Sequence, residues 1–403
     1  MMEKRNLFFT AIEGTSKGFW MFAGFLFLLA LGGAWASFMM EHEGHYITGM
    51  TNQVPWGLPI VMAVYFIGLS AGSLVLSALS SVFGMTEFKP FSRIAALLAV
   101  VLIVGALLSI ILDWGRPERL FIPFFHFQPR SMFSLNGVLY SVYMGIGIVY
   151  LWAMFAEKKK LEKLLGISAV FWAVLVHSGT GAIFGFVGAR ELYHSPLLPP
   201  SFIAAALSSG TALMILVLLA TFRYSERYLD MKIVLKLAKY LAGFIMIVTY
   251  FLFVENITRS YIPKNYELQH FLLFDGGKIS LIFWLGMVGL GNIFPLLLLL
   301  SPAGKSVKWI IVACVMVVIG VLAERYIIVI PGQVLPLELF PGYNITSSFQ
   351  DGLLANYCVS TAEILFSVGI GALVLLIYLF AIKFFEMLPV TKKEENSETV
   401  PEA

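Results

Sequence analysis

Charge is the first thing this sequence lacks. Only 13% of its 403 residues are Asp, Glu, Lys or Arg, while 59% are hydrophobic and the mean hydropathy is +0.87. Soluble domains carry about 25% charged residues, so a water-soluble fold is all but excluded. Cysteine is scarce too. Cys314 and Cys358 stand alone, which leaves no disulfide framework and no Cys-x-x-Cys signature for zinc, c-type haem or an iron–sulfur cluster. The short alternating segments of a membrane β-barrel are absent. A net charge of +3 gives no reason to expect a nucleic-acid partner. Ser37-Phe38-Met39-Met40, after the first apolar run, makes a poor cleavage site, so no removable signal peptide is expected.

Ten long apolar runs fill the space instead: 19–40, 58–83, 93–112, 134–155, 165–188, 201–222, 234–254, 279–300, 309–330 and 359–382. Each is long enough to cross a hydrocarbon core of roughly 30 Å as a helix. Helix is required because backbone groups facing lipid must bond within their own segment. The expected fold is therefore an all-α polytopic membrane protein with ten transmembrane helices. A single integral-membrane domain would occupy residues 1–390, and the polar, acidic stretch 391–403 would form a disordered cytoplasmic tail.

Lysine and arginine set the expected direction. With the N-terminus inside, 19 of the 27 lysines and arginines fall on inner segments, including Lys158-Lys159-Lys160. The positive-inside rule then puts both termini in the cytoplasm of a multi-pass protein in the cytoplasmic (inner) membrane. The outer connections, 41–57, 113–133, 189–200, 255–278 and 331–358, are richer in Pro, aromatics, His and Arg. Function is expected on that outer face.

Several polar residues interrupt the apolar runs. His177 lies mid-span, Glu324-Arg325 sits within the ninth run, Glu363 is just inside the tenth, and Glu255-Asn256 closes the seventh. A charge at bilayer centre costs roughly 2.5–3.5 kcal/mol, so these groups should face the protein interior and mark a pathway. The plain alternative is a buried ion pair, Glu324 or Glu363 with Arg325, that only fixes helix packing. A bis-histidine haem is not expected, since His177 is the only mid-span histidine. The segment Asp113-Trp114-Gly115-Arg116-Pro117 follows the third run, and Asp113 and Arg116 are spaced to pair across one helical turn. Downstream, Arg130 and Ser131 lead into a span whose Asn136 and Tyr140 share a helix face. These groups would line an apolar pocket with a few polar contacts, as a quinone head group with a long tail requires. Gly68…Gly72 and Gly181…Gly185 are steps that permit close helix contact.

The Asp113–Pro117 segment resembles the D-x-G-R-P element of the NrfD/PsrC family, quinone-interacting membrane subunits of respiratory oxidoreductases. Val54-Pro55-Trp56-Gly57, followed by Gly68-Leu69-Ser70-Ala71-Gly72, is similar to the family's Trp and Gly-rich second helix. Arg130-Ser131-Met132 sits where the family has Ser-Pro-Met, with Phe133 adjacent instead of Pro. His177-Ser178-Gly179-Thr180-Gly181, Pro196, Pro199-Pro200, Arg325 and the Tyr343…Glu363 stretch resemble the ten-span branch containing the DsrP and HybB membrane subunits. The resemblance implies two four-helix bundles plus two additional helices. It implies menaquinone or another quinone, and no metal, haem or iron–sulfur cluster held by the protein itself. It also implies a periplasmic ferredoxin-like iron–sulfur partner and other redox subunits, among them a c-type cytochrome and cytoplasmic catalytic subunits. Sulfur or sulfite metabolism of Dsr type is the favoured context, with proton translocation as an accompanying capability. The family's polysulfide-reductase members place an Asn and a His before the second helix; Asn52 stands nearest that position here, with His42 and His45 farther upstream.

On this reading Asp113 and Arg116 shape the pocket, with Arg130, Ser131 and Asn52 at its edge, and Asn136 and Tyr140 hydrogen-bond the quinone oxygens. His177, whose ordinary pKa is about 6.5, accepts the proton. Glu255, Glu324, Arg325 and Glu363 form a proton path. A proton-coupled secondary transporter and a passive membrane anchor are the rival readings.

Overall fold

A computed structural model describes residues 8–12, 16–336 and 352–390. Tyr343 and the expected tail, 391–403, lie outside the described residues. Ten helices among the described residues are long and apolar enough to cross a membrane. They are α1 (Lys17–His42), α2 (Leu58–Ser81), α3 (Ser92–Asp113), α4 (Met132–Phe155), α5 (Lys159–Gly185), α6 (Leu198–Tyr224), α7 (Met231–Tyr261), α8 (Lys278–Leu300), α9 (Val307–Val329) and α10 (Thr361–Phe384).

Every expected apolar run lies on one of these helices, and the largest difference is at α7. Residues 255–261 belong to the helix rather than to a connection. Polar side chains inside the turn explain the extension: Asn256 donates to the Leu252 carbonyl at 2.8 Å, Ser260 donates to the Asn256 carbonyl at 2.8 Å, and Glu255 pairs with Arg259 one turn on. Much of the rest of the connection also coils, in short turns over Tyr266–His270 and Phe271–Asp275. Span α8 departs from ordinary winding. Ile282–Ile293 follows an i→i+5 pattern just before Pro295, and the Asn292 amide donates to the Met287 carbonyl at 2.8 Å within it. Proline cannot donate back to the preceding turn, which favours a loosened ladder there.

Helices α2, α3, α4 and α5 pack around one another as one bundle, and α6, α7, α8 and α9 as another. The seam between them is made by α2 and α5 against α6, and α2 against α9. The extra pair is α1 with α10, laid on α3. The arrangement is thus two four-helix bundles plus two additional helices. At the seam the backbone needs glycine: a Cβ added at Gly72 would collide with the Ala206 carbonyl, and one added at Gly210 with the backbone of Gly72.

The first and last described segments meet at the lysine-rich end of the bundles. Strand β1 (Phe8–Thr10) pairs antiparallel with β2 (Leu388–Val390). Arg227 donates to the Leu388 and Pro389 carbonyls and to Thr10, while Arg93 donates to the Glu386 and Met154 carbonyls. An even number of spans returns the backbone to the end from which it started, as ten require.

Gly72→Ala is therefore expected to destabilise the protein by about 1–3 kcal/mol through overpacking. Gly24→Ala, where nothing lies within 4 Å, should be neutral or mildly stabilising. Thermal unfolding of the two variants in the same detergent makes the comparison.

Candidate functional site

The site begins where α3 stops. Asp113 is its last residue, and Gly115, with φ of +70°, turns the backbone away. Arg116 and Arg119 consequently face outward and are exposed. The expected Asp113–Arg116 pairing does not form: among the described residues no ion pair joins them, because the left-handed Gly115 breaks the helical spacing that would have aligned them. Asp113 instead points inward, and its Oδ1 is buried without a hydrogen-bond partner.

A second inward-facing group lies nearby. His45, in the turn after α1, has its Nε2 buried and unpartnered, and a Cβ on Gly115 would sit 3.7 Å from that nitrogen. Burial pushes the His45 imidazole below its ordinary 6.5, with Glu41 and Glu363 pulling the other way. One carboxylate oxygen before the glycine turn and one imidazole nitrogen against it are thus buried without a partner.

Glu363 fixes the loop that carries His45. It is the third residue of α10 and completes a capping box with Ser360. Its carboxylate accepts from the backbone N–H of Gly49 at 2.9 Å, Leu58 at 3.1 Å and Ser360 at 2.9 Å, and from the Tyr357 hydroxyl at 2.6 Å. It makes no pair with Arg325, and both of its oxygens are occupied by donors from three segments of the protein. Gln333, beyond α9, ties the same loop by exchanging two hydrogen bonds with the Trp56 backbone, at 2.9 and 3.1 Å. The Trp56 ring packs on Phe133, Phe184 and Tyr193.

Asn136 and Tyr140 of α4 both bond to the α5 segment that follows His177. The Asn136 amide donates to the Gly179 carbonyl at 3.0 Å and to the Met132 carbonyl at 2.7 Å, leaving its Oδ1 buried and unpaired. Tyr140 shares a hydrogen bond with Thr180 at 2.9 Å. His177 lies one turn before Thr180–Gly181 and is 2% exposed. Its Nδ1 is 3.0 Å from the Ala173 carbonyl. A carbonyl only accepts, so the proton sits on Nδ1 and Nε2 presents a free lone pair, buried and without a partner. Three other candidates lie outside this interior: Arg130 and Asn52 are exposed, and Ser131 caps α4 by accepting from the Ser134 N–H at 3.4 Å.

Glu255 and Glu324 both line a small open cleft elsewhere, between α6, α7, α8 and α9. Glu255 contacts Arg259 at 2.7 Å and accepts from Ser195 at 2.8 Å. Arg325 is fully buried, with its guanidinium 4.1 Å from the centre of the Phe202 ring and Glu324 at 3.5 Å. Sequence reasoning did not assign His45, Tyr357, Ser195 or Arg259 to a site. Only Arg259 left a readable signal, four residues after Glu255 on one helix. No group of three or more His, Cys, Asp or Glu able to hold a metal occurs among the described residues.

His45 gives a pH test of this geometry. Its folded-state pKa is depressed, so its contribution to stability is present above the ordinary 6.5 and is lost as pH falls below it. His45→Gln should flatten the loss of thermal stability between pH 7 and about pH 5, read as melting temperature against pH.

Residues 46–336 match the family described as polysulphide reductase, NrfD. The integral membrane subunit of an Hdr-like menaquinol oxidoreductase from Archaeoglobus fulgidus is 41% identical over 393 residues, covering 97% of this chain and 99% of that protein. A selenate reductase component from Mesobacillus selenatarsenatis is 31% identical, covering 92% and 94%. A polysulfide reductase component from Wolinella succinogenes is 25% identical, covering 70% and 95%. A family match running from the loop before α2 to the end of α9, on ten apolar helices and with relatives alike over nearly their whole length, makes this chain a multi-pass integral membrane protein of the NrfD family.

Proposed function

We propose that the protein is the quinone-interacting integral membrane subunit of a respiratory oxidoreductase, exchanging electrons between a menaquinol–menaquinone pair and a peripheral iron–sulfur subunit. The observation that carries this reading is two buried side-chain atoms without a hydrogen-bond partner, Asp113 Oδ1 at the end of α3 and His45 Nε2 against the Gly115 turn that follows it. Unpaired polar atoms in an apolar setting cost free energy, and a hydroquinone head group, whose two hydroxyls donate, would relieve that cost. The residues present therefore fit the quinol form. When bound, it supplies two-electron, two-proton redox chemistry.

The protein's own residues bind the head group and handle its protons. Asp113 and His45 hold it at the turn. The aromatic wall of Trp56, Phe133 and Phe184 keeps water away from it. His177, with Nε2 free and Nδ1–H anchored on Ala173, is built to receive a proton and to return it. Asn136 offers its free Oδ1 within the same α4–α5 interior. Glu255, Glu324 and Arg325 remain the path for protons leaving the site, and Glu363 serves as the latch for the His45 loop.

In this proposal the lysine-rich end faces the cytoplasm of the inner membrane, together with both termini, and the Asp113 end faces the periplasmic side. The exposed arginines there, Arg116, Arg119 and Arg130, suit docking of a peripheral redox subunit. The relatives' names speak of menaquinol oxidation and of selenate and polysulfide reduction. The partner's chemistry accordingly varies around a common membrane subunit, and the Dsr-type assignment belongs to the partner.

In the intact complex, Asp113→Asn, His45→Ala and His177→Ala should each slow quinol oxidation by about 100-fold or more, the contribution typical of a positioned proton acceptor. The assay is the rate with a soluble menaquinol analogue, on complexes that retain every subunit of the wild type. Wild-type rates in all three variants would sink the reading.

A further inference from the structure

The cleft of the second bundle has no binding role in that reading, although its chemistry is specific. Its walls are apolar, with Leu198, Val248, Phe251, Phe283, Met287 and Ile327 facing the space. Its polar end carries two carboxylates, Glu255 and Glu324, and one cation, Arg259. Arg259 is already committed: it meets Glu255 and donates to the Leu192 carbonyl at 2.7 Å. Glu255 Oε1 lies beside Arg259 but off the line of its N–H bonds, and it has no hydrogen-bond partner. Glu324 is 5% exposed, and its nearest cation is Arg325 at 3.5 Å, too long for a strong charge-assisted bond.

This end wall sets two carboxylates against one cation, and that cation already faces Glu255. An anionic head group would meet an excess of negative charge. An ammonium head group would meet Arg259 on the same wall. A neutral molecule with two hydroxyl donors and a long apolar tail suits all three groups, since each hydroxyl satisfies a carboxylate and the tail takes the apolar walls.

We propose that the cleft between α6, α7, α8 and α9 is a second site for an isoprenoid hydroquinone, with its hydroxyls donating to Glu255 and Glu324 and its tail among Val248, Phe251 and Met287. The proposal rests on the reading that this protein handles quinones, but not on the Asp113 turn being where it does so. The cleft draws on the far ends of α7 and α9 and on the start of α6, so it opens at the same end of the molecule as Asp113.

The test is equilibrium binding of menaquinol-4, kept reduced under argon, to the full-length protein in lipid nanodiscs, with bound quinol extracted and counted per protein molecule. Wild type should bind two equivalents. Val248→Trp, which fills the cleft, should bind one; Ser201→Phe, from the facing helix, repeats the test if the first variant fails to fold. The double variant Glu255→Gln, Glu324→Gln should keep the cleft's shape and weaken the second equivalent about tenfold or more, as expected for lost charge-assisted bonds. Asp113→Asn should remove only the other equivalent. If wild type binds one equivalent, abolished by Asp113→Asn and untouched by Val248→Trp, the cleft proposal fails while the proposed function stands. If the single equivalent is lost only in Val248→Trp, the cleft stands and the turn is not the site. No binding in wild type overturns both. Recovery of an aminophospholipid with wild type but not with Val248→Trp, at unchanged quinol count, overturns the cleft proposal.

Discussion

Hydrocarbon surroundings leave a polar group only one place to go, the seam between helices, and every buried polar contact in this molecule follows from that constraint. Most of these groups are paired off locally. Ser70 meets Tyr143, Ser81 meets Tyr150, Tyr140 meets Thr180 and Thr221 meets Tyr378, each hydroxyl pair at 2.9–3.1 Å and each joining two spans. Other hydroxyls fold back onto their own helix, as Ser73 and Ser209 do, at no cost to packing. Against that background the unpaired atoms stand out: Asp113 Oδ1, His45 Nε2, Asn136 Oδ1, His177 Nε2 and the nitrogens of Arg325. Ser80, Ser225, Ser367, Gln269 and Glu255 also leave an oxygen unpaired, but the histidine, Asn136, Asp113 and Arg325 atoms lie on the residues that the sequence singles out or on the turn beside them.

The loop before α2 shows how such open groups are kept in place. A free loop would let His45 turn to water. Here Glu363 gathers donors from Gly49, Leu58, Tyr357 and Ser360, and Gln333 pins Trp56, so the loop is fixed to the start of α10 and to the segment beyond α9. A carboxylate at the third position of a helix also faces the helix's positive end and caps its free N–H groups. The scaffold thus bears the cost of keeping the His45 Nε2 atom away from solvent.

The spans were legible from sequence because apolar length alone decides them. The two-bundle arrangement came with the family resemblance and could not be read from hydropathy, which does not say which helices touch. Asp113 was legible as an unusual carboxylate at a span end. Its partner was not, because three-residue spacing suggests a helical turn and Gly115 breaks it. His45 could be placed against the Gly115 turn only through the fold, since its loop is held there from residue 363. Glu363 itself reads in sequence as one more intramembrane acid. Only the directions of its donors show it to be a latch. Glu255 and Arg259 were readable as a helical pair, but their place in a cleft depends on α7 continuing two turns past its apolar run.

One helical turn of α9 connects the two halves. Glu324 faces the cleft of the second bundle, and Arg325, the next residue, is turned to the seam, stacked on Phe202 of α6 and close to Gly68 of α2. Their nearest atoms are 3.5 Å apart in a region stripped of water, where the interaction of unit charges is many times that in solution. The three side-chain nitrogens of Arg325 are buried without a hydrogen-bond partner, so the guanidinium keeps capacity for a further acceptor on the seam side. Adjacent residues of one helix therefore set a carboxylate in the cleft and a cation at the seam, and α9 joins the two bundles through opposite charges rather than through apolar packing alone.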